Sequence, residues 1–180
     1  MGKQLESITP DLQSFIEKQH LFFVGTAASE GRVNISPKGT DSFRIIDQNK
    51  VVWLNLTGSG NETAAHILKN NRMTIMFCSF EGKPMILRLY GTAKIYHKRD
   101  KKFHDYITLF SKNIGSRQIV LVDVDLVQTS CGFGVPIMEF KEDRNTLKSW
   151  AEHKGHEKIE AYWKEKNRIS IDGFDTKISD

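Results

Sequence analysis

Cysteine is scarce in this chain of 180 residues: Cys78 and Cys131 are far apart and neither lies in a Cys-x-x-Cys pair. That leaves no disulfide-stapled scaffold and no structural zinc, and it reads as a reducing, cytoplasmic setting. No stretch approaches the roughly 20 apolar residues of a membrane span. The opening Met1-Gly2-Lys3-Gln4-Leu5-Glu6 lacks the apolar core of a signal peptide, and Glu6 stands where a myristoylation signal needs a hydroxyl. Neither a repeat nor a low-complexity segment is present. No nucleophile elbow occurs. His153 and His156 lie three apart with no third ligand near, so no metal site is expected. The net charge of +4 is mild and dispersed, compatible with a small anionic ligand and too weak for nucleic acid. With 39% apolar and 27% charged residues, the chain reads as one globular domain over 1–180.

What is present is mostly strand. Residues 9–19 open with Thr9-Pro10, an N-cap followed by a first-turn proline, and place Leu12, Phe15 and Ile16 at helical spacing. Leu21–Ala28 and Arg32–Ser36 read as strands around the turn Ser29-Glu30-Gly31, with Pro37 expected to stop the second. Lys50–Leu56 reads as a strand, Glu62–Lys69 as a short helix, and Arg72–Phe80 with Met85–Tyr96 as a hairpin. Asp100–Lys112 is a helix. Gln118–Val127 alternates, with Val120, Val122, Val124 and Leu126 on one face. Residues 143–167 form a charged C-terminal helical extension, breakable at Gly155, and the last dozen residues read as a loose tail. Strands with few helices between them predict a mainly β, antiparallel barrel with flanking helices, since a parallel doubly wound sheet needs regular β-α alternation.

Three segments carry candidate chemistry. Thr57-Gly58-Ser59-Gly60-Asn61 leads from a strand into the short helix, and exposed amides at such a corner attract anions. Capping by Ser59 or Asn61 explains the same residues. In Asn34-Ile35-Ser36-Pro37-Lys38, Asn34 and Ser36 share a face and Lys38 follows; Lys38 is either a solvated lysine or a cation beside a ligand. Gly132-Phe133-Gly134 permits close approach of a planar ligand or a partner, or is only a turn leaving the last strand.

Together, Phe23-Val24-Gly25-Thr26-Ala27, Val33-Asn34-Ile35-Ser36-Pro37-Lys38-Gly39, Trp53-Leu54-Asn55 and the stretch from Gly58 to Arg72 resemble the FMN-binding split barrels related to pyridoxamine 5′-phosphate oxidase, over about residues 10–130. The resemblance implies FMN held at the interface of a homodimer. It implies contacts from Asn34, Ser36, Pro37, Lys38, Trp53, Leu54, Asn55, Thr57, Ser59, Asn61, Thr63 and Arg72. Glu62-Thr63 stands where the oxidases usually carry Arg-Lys, so the phosphate would rely on loop amides, hydroxyls and a cation such as Lys38, Arg32 or Arg72. The implied activity is an FMN-dependent oxidoreductase acting on a small substrate or NAD(P)H, with the redox chemistry left to the cofactor and no catalytic residue assigned. The alternatives are a flavin carrier or sensor without turnover, and a haem-handling barrel, for which no histidine stands out.

Overall fold

The computed structural model describes residues 2–179. Its centre is an 8-stranded antiparallel sheet in the order β3-β2-β6-β7-β8-β5-β4, with β1 (Lys3–Leu5) added to β8. The other strands are β2 (Phe22–Thr26), β3 (Asn34–Lys38), β4 (Phe43–Asp47), β5 (Lys50–Leu56), β6 (Arg72–Cys78), β7 (Ile86–His97) and β8 (Ser116–Ser130). The expected mainly β, antiparallel architecture with flanking helices is what is observed. Among the described residues no helix is long and apolar enough to cross a membrane.

β7 and β8 are the two longest strands, and all of β7 pairs with residues 118–130 of β8. The far edge of β8 takes β5 along its first half and β1 along its last residues. Because both faces of its first half are covered, β8 is a near-continuous apolar run. Val120 and Val122 enter the main core with Trp53, Ile75, Phe77, Leu87 and Leu89. Ile119 and Leu121 face the other way, into a second cluster with Val52, Leu54 and Phe103 and Phe110 from α3 (Lys101–Ile107) and the turn after it. Helix α1 (Pro10–Glu17) is capped by Thr9, whose Oγ1 accepts from the Leu12 amide, and it seals the main core with Leu12 and Ile16.

Two expectations are corrected. The simple alternation expected through Leu126 breaks: Tyr90 pairs with Leu126 but Gly91 pairs with Val124, so Asp125 is an extra residue in β8. Such a bulge shifts every later side chain to the opposite face. Val127, rather than Leu126, therefore takes the next place in the core. The strand expected to stop at Pro37 runs on to Lys38. β3 is an edge strand bonded only to β2, and an edge tolerates a residue without an N–H.

The C-terminal extension forms α4 (Thr146–Lys166), bent where Gly155 takes φ 71°. Ala151, Ile159 and Trp163 pack it down. The loose tail expected at the end is corrected over the described residues 169–179: Ser170 and Thr176 are buried, and Ile169 bridges Asp175.

At the bulge, a Cβ on Gly91 would lie 2.1 Å from the backbone oxygen of Asp123. Gly91→Ala is expected to destabilise the protein by about 2 kcal/mol or more, as forced overpacking does, read as a lower urea midpoint at unchanged slope.

Candidate functional site

Alternation along β3 turns Asn34, Ser36 and Lys38 to one side, half-buried, and leaves Ile35 and Pro37 exposed on the other. Facing them is the corner where β5 leaves the sheet and α2 (Glu62–Lys69) begins. Asn34, Ser36, Lys38, Asn55, Gly60, Asn61, Glu62, Thr63 and Arg117 line a cleft of about 50 Å³ there.

The cleft wall is a fixed network of hydrogen bonds. The Asn34 amide donates to Thr63 Oγ1 at 3.2 Å and to Thr26 Oγ1 at 3.4 Å, while Ser36 Oγ donates to Asn34 Oδ1 at 3.0 Å. Buried His66 meets Thr26 Oγ1 through Nδ1 at 3.1 Å. Asn55 donates to Gln118 Oε1 at 3.0 Å. Among the described residues three buried polar atoms of the cleft lining have no partner: Asn55 Oδ1, Asn61 Oδ1 and Arg117 Nε. Buried polar atoms are nearly always paired, so such orphans mark where a ligand or water belongs.

Electrostatics favour an anion. Arg117 is 3% exposed, and its guanidinium bonds only neutral oxygens, Gly60 O at 2.9 Å and Asn167 Oδ1 at 2.7 Å. Burial pushes its pKa down to about 9, which leaves it charged at neutral pH. Burial and then repulsion from Arg117 push the Lys38 ammonium down to about 8. Lys38 Nζ also sits 5.3 Å from the centre of the Trp53 ring. The one carboxylate in the lining, Glu62, accepts the Ile171 amide at 3.2 Å on each oxygen. Two desolvated cations held apart by mutual repulsion are stabilised by an anion between them. About 50 Å³ exceeds the roughly 30 Å³ share of one water. The cleft admits a group of a few atoms, and a flavin ring would have to lie outside it.

The twelve residues read from sequence divide cleanly. Asn34, Ser36, Lys38, Asn55, Asn61 and Thr63 come together in the cleft lining. Trp53 and Leu54 point to opposite faces of β5, into the main core and the α3 cluster. Thr57 is buried; its hydroxyl donates to Gly115 O at 2.9 Å and accepts Trp163 Nε1 at 2.9 Å, so it ties α4 to the sheet. Ser59 is exposed in the loop, and Pro37 faces away on β3. Arg72 is exposed at the start of β6, its Nε donating to Asn70 Oδ1 at 3.3 Å. The loop is therefore not an open cradle of amides: the Thr57 amide donates to Gly115 O at 2.8 Å, and the Asn61 side chain donates to Asn167 O at 3.3 Å. Gly132-Phe133-Gly134 contributes nothing to this lining, and Phe133 is exposed.

Arg117 and Asn167 were not singled out from the sequence. The signal for Arg117 was a lone arginine entering an otherwise apolar strand. Asn167 gave none: it is reached only because the tail folds back. Fully buried, Asn167 donates to Gly58 O at 3.0 Å and accepts from Arg117. Five residues on, the Asp172 carboxylate accepts the Arg32 amide at 2.7 Å and pairs with the Arg32 guanidinium.

A family model described as pyridoxamine 5′-phosphate oxidase matches residues 8–131. A pyridoxamine 5′-phosphate oxidase family protein of Aspergillus flavus, ustO, is 38% identical over 146 residues, 78% of this chain and 59% of that protein. The chain thus spans less than two thirds of that relative's length. Two solved structures share the fold. The FAD-binding protein of Mycobacterium smegmatis superposes with TM-score 0.50 at 12% identity, over 70% of this chain and 97% of that one. The haem storage protein HutZ of Vibrio cholerae gives TM-score 0.50 at 14% identity, over 66% and 92%.

Replacing Asn167 by Ala should lower stability by about 2 kcal/mol, since it strands the Gly58 carbonyl and one arm of Arg117. Amide exchange should quicken in the loop 58–61, and hydrogen exchange read by mass spectrometry checks both its site and its size.

Proposed function

The chain belongs to the pyridoxamine 5′-phosphate oxidase family, and from that premise we propose that it is an FMN-binding oxidoreductase of the cytoplasm. The observation that carries the reading is the cleft in which Lys38 and Arg117, both desolvated, line one small space with the unpartnered Arg117 Nε as a free donor. A terminal phosphate monoester is a dianion, and it matches two cations better than a single-charge ligand does. A flavin-binding neighbour of the same fold supports the cofactor class. Haem is not favoured at this cleft, because no histidine lines it.

In this reading Lys38 and Arg117 hold the phosphate while Ser36 and Thr63 offer hydroxyls. Asn34 is locked by Thr26, Thr63 and Ser36, so its amide is preset rather than reorganised on binding. The Ile171 amide holds both oxygens of Glu62, fixing where that carboxylate's charge lies. FMN would supply hydride or electron transfer with a small substrate or NAD(P)H. The protein's part is to orient the cofactor and to exclude water. A cleft of about 50 Å³ cannot seat the ring, and in this reading the ring lies between two copies in a homodimer. Val33, just before the edge strand, and Ile35, on its face away from the cleft, are each 71% exposed and supply apolar surface for the second copy.

Titration with FMN, followed by quenching of flavin fluorescence, tests the reading directly. Binding should be tight enough to colour the purified protein, and a colourless protein that ignores added FMN ends the proposal. Lys38→Met should weaken FMN by about 10- to 100-fold, the range for a charged hydrogen bond of about 1.5–3 kcal/mol. The sign with pH follows from Lys38. An anion favours the protonated amine, so affinity should hold below pH 8 and fall as pH rises through about 8. Lys38→Met should flatten that fall, and NAD(P)H-driven bleaching of bound FMN separates an oxidoreductase from a carrier.

A further inference from the structure

Arg117 lines a second cavity, one that the proposed flavin site does not use. It measures about 350 Å³ and lies between α4, the turn after β7 and the chain around Ile178. Among the described residues its charged lining is Lys98, Arg99, Arg117 and Lys164 against the carboxylate of Glu160. The arrangement is built rather than incidental. Arg99 is anchored by donating to Lys177 O at 2.8 Å. Lys98 is half-buried with Nζ 4.5 Å from the centre of the Trp163 ring, and burial lowers its pKa against the pull of Glu160. Trp163 is itself fixed by its bond to Thr57. Arg117 brings a buried charge with no ion pair among the described residues and an unpartnered Nε.

Arg117 is buried and Lys98 half-buried, while Arg99 and Lys164 reach the cavity from exposed positions; like charges so gathered repel one another, and the two withdrawn from water are costly unless an anion joins them. Four cationic groups against one carboxylate suit a multiply charged anion rather than a monocarboxylate. We infer that this cavity is a second anion site, for a small phosphate-bearing molecule, and that filling it weakens anion binding in the cleft because both draw on the one Arg117 charge. Only the coupling rests on the flavin reading; the second site does not. Linkage then requires the antagonism to be mutual.

The test uses the full chain and inorganic pyrophosphate as the probe, in calorimetric titrations at ionic strength held constant with chloride. The double variant K98A/K164A removes two cations that lie outside the cleft. The wild type should bind one pyrophosphate per chain in this cavity, the double variant at least tenfold more weakly, and K98R/K164R should recover most of the affinity. Pyrophosphate should also raise the apparent Kd for FMN several-fold in the wild type and leave it unchanged in K98A/K164A. No binding overturns the proposal. So does binding that K98A/K164A leaves intact while Lys38→Met abolishes it, because the probe would then sit in the cleft. Should the protein ignore FMN altogether, the flavin reading falls while the pyrophosphate titrations still decide this site.

Discussion

A guanidinium buried without a carboxylate is the constraint around which this molecule is arranged. Arg117 enters at the first turn of the longest strand and is held by two neutral oxygens, Gly60 O on the loop before α2 and Asn167 Oδ1 at the end of α4. Those two bonds join three parts of the chain that are remote in sequence. They also leave the positive charge largely uncompensated, and a charge in that state acts on everything near it. After burial, it is the second cause that lowers the proton affinity of Lys38, and the two cations make that corner of the sheet favourable to an anion, the seat proposed above for phosphate.

The rest of the fold serves to hold that corner still. β8 reaches it as a strand covered on both faces, with the main core on one side and the α3 cluster on the other. The Asp125 bulge lies well beyond the cleft end of β8, where Gln118 pairs with Asn55 and His97 and a second register shift leaves Arg117 unpaired between Ser116 and Gln118. From the opposite side Thr57, Trp163 and Asn167 fasten α4 and the tail onto the loop. Asp172 extends the same fastening to the β2–β3 turn through Arg32. The loop's polar groups are thereby largely spent on the protein itself, so the anion seat is defined by side-chain cations more than by free amides.

Glu62 shows how the seat differs from one built on a helix N-terminus. A carboxylate at the first position of α2 is favourable for the helix and unfavourable for an anion beside it. Here the tail donates the Ile171 amide to both carboxylate oxygens, fixing where that charge lies. In the proposed reading, the cationic role that an Arg-Lys pair at that position would fill falls to Lys38 from the edge strand and Arg117 from the centre of the sheet.

Local chemistry carried the mainly β architecture, the capped start of α1, the break at Gly155 and the facing of Asn34, Ser36 and Lys38, since period-two alternation, N-caps and glycine conformations are properties of neighbouring residues. Half of the residues singled out from sequence meet in the cleft for that reason. What sequence could not fix is where side chains of equal promise are spent. Thr57 and Asn61 look alike in the loop, yet one ties down α4 and the other lines the cleft. Arg117 and Arg72 are both arginines at strand starts, yet one is buried and the other faces water. Those outcomes depend on β8 lying at the centre of the sheet and on the tail returning to the loop. Contacts between residues 50 to 110 positions apart obey the packing of the whole chain, and no short window of sequence contains it.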